Sequence, residues 1–198
     1  MFGMQFHVSR RRRHDGEEET LLQYALRRGK WPSNTQRWCT SDFKRGPGGR
    51  VLTELSHRYN AKRVLYVFGY RHEESPARAK KETLTLNKQF TTKSRIVDEY
   101  NPILSWTVDE VWYIIKSNHI PYHYAYDMGM PRLSCVFCIF APVDALVIAG
   151  KHNPELLDQY IDAEKEMGHS FRNKFAIAEV KELIESGYEP KSATSWNM

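Results

Sequence analysis

The residues with the most distinct chemistry in this sequence are its three cysteines: Cys135 and Cys138 in a Cys-x-x-Cys pair, and Cys39, 96 positions upstream. A Cys-x-x-Cys turn can aim two thiolates at one point, and Cys39 joins them only through the fold. The donor set suits a redox pair, a zinc site completed by a histidine such as His123 or His169, or an iron–sulfur cluster on three thiolates with one open iron. Buried, inert thiols are the plain alternative. The isolated histidines His7, His57, His119 and His169 read more simply as core or surface residues.

Two further stretches could carry chemistry. Gly69-Tyr70-Arg71-His72-Glu73-Glu74-Ser75-Pro76-Ala77-Arg78 follows an apolar run and opens a helix, the place where open α/β sheets bind ligands. There Arg71 and Arg78 can grip phosphate or sulfate oxygens bidentately, Ser75 can cap and hydrogen-bond, and Glu74 can fix an arginine or contact a ribose. An ordinary helix start with surface ion pairs is the alternative. Trp38-Cys39-Thr40-Ser41-Asp42-Phe43-Lys44-Arg45-Gly46 puts two hydroxyls and two cations next to a thiol. It reads either as a cationic phosphate grip beside the cysteine or as a basic helix start capped by Ser41 or Asp42.

These residues need a scaffold, and the chain can supply one. Its 198 residues, 41% hydrophobic, suit one ordinary globular domain. No apolar run approaches the roughly 20 residues that cross a bilayer, so no membrane association is expected. Met1–Val8 is short and its arginines come after it, so no signal peptide is expected and the cytoplasm is the expected compartment. Three cysteines without an export signal do not read as a disulfide scaffold. The net charge of +5 is unevenly spread: residues 1–63 carry 14 basic and 6 acidic side chains, residues 99–198 carry 8 and 14. A positive first half suits phosphates, on a nucleotide or a nucleic acid backbone, or is simply a solvated surface.

The local patterns read as α/β. Gln5–Ser9 alternates as a short strand. Glu17–Arg28, acidic at its start and basic at its end, predicts a helix stopped by Gly29. Gly46-Pro47-Gly48-Gly49 reads as a loop or tight turn, and Val51–Tyr59 has helical spacing. Val64–Phe68 is a continuous apolar run, as in a strand buried on both faces of a parallel sheet. Ser75-Pro76 predicts a helix from about Pro76 to about Thr83. After a polar connection, Thr107-Val108-Asp109-Glu110 is a capping box opening a helix through about Ser117. Pro121–Leu133 reads as an ordered loop delivering the cysteine pair. Three helices follow, closed by Gly150, Gly168 and Gly187. The expected division is an α/β domain over residues 1–140 and a helical extension over 141–198.

Four ordered motifs carry a family resemblance. They are Trp31-Pro32-Ser33 with Arg37-Trp38-Cys39-Thr40-Ser41-Asp42-Phe43-Lys44-Arg45-Gly46-Pro47; Gly69-x-Arg71-x-x-Glu74-Ser75-x-x-Arg78; Asn101-Pro102-Ile103-Leu104-x-Trp106-Thr107-x-Asp109-Glu110-Val111-Trp112; and Tyr126-Asp127-x-Gly129-Met130-x-Arg132-Leu133-Ser134-Cys135-Val136-Phe137-Cys138. Together they resemble the phosphoadenosine phosphosulfate (PAPS) reductase family of the adenine nucleotide alpha-hydrolase superfamily, over about residues 5 to 172. The phage- and bacteria-associated branch related to DNA phosphorothioation enzymes is the most similar.

The resemblance implies a Rossmann-like α/β sheet binding ATP or another adenine nucleotide at its carboxyl edge. It implies Cys39, Cys135 and Cys138 as ligands of a [4Fe-4S] cluster with an open iron, zinc being the alternative metal. Gly69, Arg71, Glu74, Ser75 and Arg78, with Lys44 and Arg45, would lie along the nucleotide or sulfonucleotide site. In a full-length relative, ATP would be split at its α-phosphate to adenylate an oxygen, and sulfur would be delivered through the cluster. The family's Ser-Gly-Gly-x-Asp-Ser pyrophosphate loop has no counterpart here, nor does the reductases' C-terminal Glu-Cys-Gly motif. A partner chain or self-association supplying the missing sheet half is therefore an expectation. Two other readings stand beside the sulfur enzyme: a metal-stabilised basic module gripping nucleic acid through Arg10–Arg13, Arg27, Arg28 and Lys30, and an inactive remnant.

Overall fold

Thr20 opens the first helix of the computed structural model, which describes residues 3–191. Its hydroxyl accepts from the Gln23 N–H at 3.2 Å while the Gln23 side chain accepts from the Thr20 N–H at 2.9 Å, a reciprocal cap. In chain order the elements are α1 (Leu21–Arg28), α2 (Trp38–Thr40), a π-helical turn (Ser41–Arg45), α3 (Gly46–Arg58), β1 (Arg63–Val67), α4 (Pro76–Ala79), β2 (Leu84–Leu86) and β3 (Ile96–Tyr100). They continue with α5 (Val108–Ser117), α6 (Val143–His152), α7 (Pro154–Met167) and α8 (Ala178–Glu185). The chain packs as two interleaved units, Met1–Ser9 with Gly46–Tyr122, and Arg10–Arg45 with His123–Met198. The boundary expected at 140/141 falls inside the second unit, and part of the segment it sets apart, 192–198, lies outside the described residues.

The first unit is α/β. Its sheet has the order β1-β3-β2, with β1 parallel and β2 antiparallel to β3, so the expected all-parallel sheet is a mixed one. The stretch read as a polar connection supplies β2 and β3. Alternation in β3 was disguised because one of its two buried residues is an acid: Glu99 is 7% exposed and accepts from Lys81 at 2.5 Å and Asn87 at 3.1 Å. Helix α4 ends at Ala79, short of Thr83, and beyond it the Glu82 and Thr83 carbonyls accept from the Asn101 side chain and N–H at 3.0 and 2.7 Å. β1 is an edge strand and is not buried on both faces: Leu65 and Val67 are 55% and 52% exposed. Gln5–Ser9 is extended but joins no sheet, its Ser9 hydroxyl donating to the Pro47 carbonyl.

The Gly46–Gly49 cluster is the first turn of α3, not a loop. A Cβ on Gly48 would stand 2.9 Å from the Tyr66 hydroxyl, and one on Gly49 2.6 Å from Phe90, so the glycines permit close approach of helix and sheet. Arg95 completes that packing by donating to the Ser56 and Thr53 hydroxyls of α3 at 2.8 and 3.2 Å.

The second unit is helical. Ala25, Trp31 and Trp38 are buried with Phe137, Leu146, Leu157, Tyr160, Phe171 and Val180 in its core. Trp31 stacks on Tyr160 at 5.1 Å, and Phe171 meets Trp31 edge-on at 5.4 Å. Helix α1 begins four residues later than its acidic run, because residues 12 and 18 pair as an antiparallel bridge and Glu19 is buried. Gly29 and Gly168 close α1 and α7 in the left-handed conformation as expected, whereas α6 runs past Gly150 to His152. Among the described residues no helix is long and apolar enough to cross a membrane.

Candidate functional site

Each cysteine is set by an aromatic neighbour that enters the core. Trp38, 6% exposed, packs edge-on against Tyr24 at 5.0 Å, which fixes Cys39 on α2. Phe137, 3% exposed, packs against Tyr160 at 5.1 Å between Cys135 and Cys138. The cysteine turn is closed by the Ala141 N–H on the Cys138 carbonyl at 2.9 Å and by the Ser134 hydroxyl on the Cys135 carbonyl at 2.8 Å. All three thiols are free and partly buried.

Their charges are coupled. Burial raises the Cys39 thiol, and a Cys135 thiolate raises it further, against a Thr40 hydrogen bond and the charges of Lys44 and Arg37. Burial likewise raises Cys138, opposed by a Phe140 backbone hydrogen bond and Lys44, with Cys135 and Cys39 both raising it. Tyr160 is pushed upward by burial and then by Cys135 and Cys138. The fold therefore brings together the three thiols that the sequence separates, with Lys44 beside them. They do not close on one ion: among the described residues, no group of three or more His, Cys, Asp or Glu is arranged to hold a metal ion. The imidazole of His123 is engaged locally, its Nδ1 accepting from the Ala125 N–H at 3.2 Å.

The other predicted residues lie in the first unit, past the carboxyl end of β1. Gly69 follows the strand, and a Cβ built there would make ordinary van der Waals contact with Ile103 at 3.8 Å. Glu74 accepts from the Arg71 N–H at 3.2 Å and pairs with the guanidiniums of Arg71 and Arg78. The Ser75 hydroxyl caps α4 by accepting from the Arg78 N–H at 3.3 Å. Arg78 and Lys81 lie over the Tyr70 ring at 4.5 and 5.2 Å, and Tyr70 stacks on Phe68 at 4.8 Å. Glu74 thus organises the two arginines, and the buried Arg71 Nε has no hydrogen-bond partner. Lys44 and Arg45 end the π-helical turn of the second unit.

Sequence reasoning missed several residues of the thiol region, chiefly Tyr160 and Arg172. Arg172 donates through Nη1 to the Ala141 carbonyl at 2.8 Å, and burial lowers its pKa. Its local sequence, Ser170-Phe171-Arg172-Asn173, carries no motif; only the fold shows its place.

Comparison with known proteins identifies the family. The family model for the phosphoadenosine phosphosulfate reductase domain matches residues 3–141. Adenosine 5'-phosphosulfate reductases of Shouchella clausii and Staphylococcus haemolyticus are 33% and 40% identical over 88 and 80 residues, 44% and 40% of this chain and 33% and 30% of theirs. An uncharacterized 37.8 kDa protein in the gpa 5' region of Escherichia phage 186 is 26% identical over 146 residues, 73% of this chain and 42% of its own length. The chain spans under half the length of these curated relatives. With mixed α/β architecture, a glycine and paired arginines beyond the β1 edge, and three thiols brought together by the second unit, the chain belongs to the phosphoadenosine phosphosulfate reductase domain family.

Proposed function

We propose that this protein carries out adenine-nucleotide-linked sulfur chemistry, with an iron–sulfur cluster held by Cys39, Cys135 and Cys138. The observation that carries the reading is the family match over residues 3–141 joined to three partly buried thiols in one unit of the fold, Cys39 on α2 and Cys135 and Cys138 on one turn. The donor set is soft and fits such a group. With three protein ligands, a bound [4Fe-4S] cluster supplies one iron open to an exogenous sulfur ligand.

The chain's own residues supply the rest. Lys44 gives positive charge beside the thiols, suited to an anionic sulfur-bearing group, with Arg45 next to it in sequence. Arg71 and Arg78, held by Glu74, form the candidate grip for nucleotide phosphates or a sulfate, with Gly69 just past the strand. The names of the reductase relatives support a sulfonucleotide as the substrate class, with ATP as the alternative.

Purification without oxygen, with iron, acid-labile sulfide and zinc measured beside the visible spectrum, tests this. About four irons and four sulfides per chain are expected, lost in Cys39→Ala and Cys135→Ala. One zinc and no iron would overturn the reading in favour of a basic nucleic-acid-binding module. The observation behind that alternative is a concavity of about 770 Å³ lined by Arg11, Arg12, Arg13 and Arg27, together with Asp15 and Asp42.

A further inference from the structure

Arg172 is a partly buried cation, and three of its five N–H donors sit on nitrogens that are buried without a partner. Its position is fixed from three sides. The backbone pairs with Phe175 through reciprocal N–H to carbonyl bonds at 3.0 and 3.1 Å. The preceding Phe171 is 2% exposed in the core, and the guanidinium lies over the Phe175 ring at 4.8 Å. Nη1 donates at 2.8 Å to the Ala141 carbonyl, whose own N–H closes the turn on the Cys138 carbonyl. The guanidinium is therefore docked on the turn that carries Cys138.

Its Nε and Nη2, which form one edge of the fork, are both buried and have no hydrogen-bond partner. No carboxylate pairs with Arg172 among the described residues. A dry guanidinium edge with nothing to donate to is costly, the more so because it is charged. A fold keeps such an edge when an anion completes it. The turn on which it is docked carries Cys138, and a thiolate-ligated iron–sulfur group is both negatively charged and rich in sulfur acceptors.

We propose that Arg172 is a positioning residue of the cysteine centre, its Nε and Nη2 donating to sulfur of the group held there and offsetting its negative charge. The proposal rests on the iron–sulfur reading above. Positive charge beside the centre favours its reduced, more negative state. Removing that charge lowers the midpoint potential.

The test compares the iron-loaded wild type with Arg172→Gln and Arg172→Lys. Iron content, midpoint potential by spectroelectrochemical titration, iron release to a chelator and thermal unfolding are measured on each. Arg172→Gln is expected to lower the potential and release iron severalfold faster, with Arg172→Lys, which keeps the charge but loses the fork, between it and wild type. Equal potentials and release rates in all three proteins overturn the proposal while leaving the cluster reading intact. Wild-type protein that binds no iron overturns both. Should Arg172→Gln fail to fold, wild type against Arg172→Lys decides: equal release and potential reject the role, faster release supports it.

Discussion

Glu19 is held between two guanidiniums. Its side chain is 4% exposed and accepts from Arg11 Nε at 2.9 Å and from Arg27 Nε at 2.8 Å. The Arg27 hydrogen bond, then the Arg11 bond and both positive charges, keep the carboxyl below the ordinary glutamate range, against burial. Because the folded pKa is the lower one, this stabilisation is full above the ordinary glutamate value and is lost as pH falls through the lowered folded value. Glu19→Gln should therefore cost about 1–2 kcal/mol at pH 7, the exposed Arg27 limiting the loss. The gap in melting temperature to wild type should close in acid; equal melting at pH 7 would refute the role. The sequence displays Glu17–Glu19 as a run that complements a helix dipole. Burial of the third of these acids, which delays α1 to Leu21, depends on Arg11 folding back and cannot be seen in the run itself. Cys39 and the Cys-x-x-Cys pair stand out in the sequence because thiols are few and their spacing is chemical; Arg172 does not, because one arginine among many has no spacing to mark it.

At the scale of elements, glycine is the residue whose meaning the sequence leaves open. Gly29, Gly168 and Gly187 have positive φ of 66, 58 and 75°, and there the reading as a helix stop agrees with the fold. Gly150 carries the same local signature but lies inside α6, where an added Cβ would stand 2.9 Å from Ile184, 3.1 Å from Leu157 and 3.1 Å from Val180. It is a packing glycine, and only the partners on α7 and α8 distinguish it from a cap. Gly150→Ala gains up to about 1 kcal/mol in helix propensity. It also overpacks a contact with three side chains from two helices, which costs about 1–3 kcal/mol. The net expectation is destabilisation by about 1–2 kcal/mol in denaturant unfolding. Gly49→Ala, opposed by Phe90 alone, should cost less; Gly150→Ala as stable as wild type would show that α6 and α8 shift freely.

At the scale of the molecule, the chain enters and leaves each unit more than once, and this was the least legible feature. Local composition changes near residue 140, where loop gives way to helices, and that change suggests a cut. The core of the second unit ignores it: Ala25, Trp31 and Trp38 from the early segment pack with Leu146, Tyr160, Phe171 and Val180 from beyond it. Neither α1 nor the thiol turn has enough apolar surface to order itself without α6 to α8, because Trp31 is covered by Tyr160 and Phe171, and Phe137 by Tyr160. A fragment of residues 1–140 keeps all three cysteines and the whole sheet, yet it should lose the thiol arrangement. Trp31, 2% exposed in the full chain, should become open to acrylamide, with red-shifted emission and severalfold stronger quenching. Bound iron should fall with it if the cysteine centre depends on that core. The sheet, whose strands and covering helix α3 all lie within residues 46–122, should keep its circular dichroism. A fragment that protects Trp31 and loads iron like the full chain would mean that the boundary suggested by composition is the physical one.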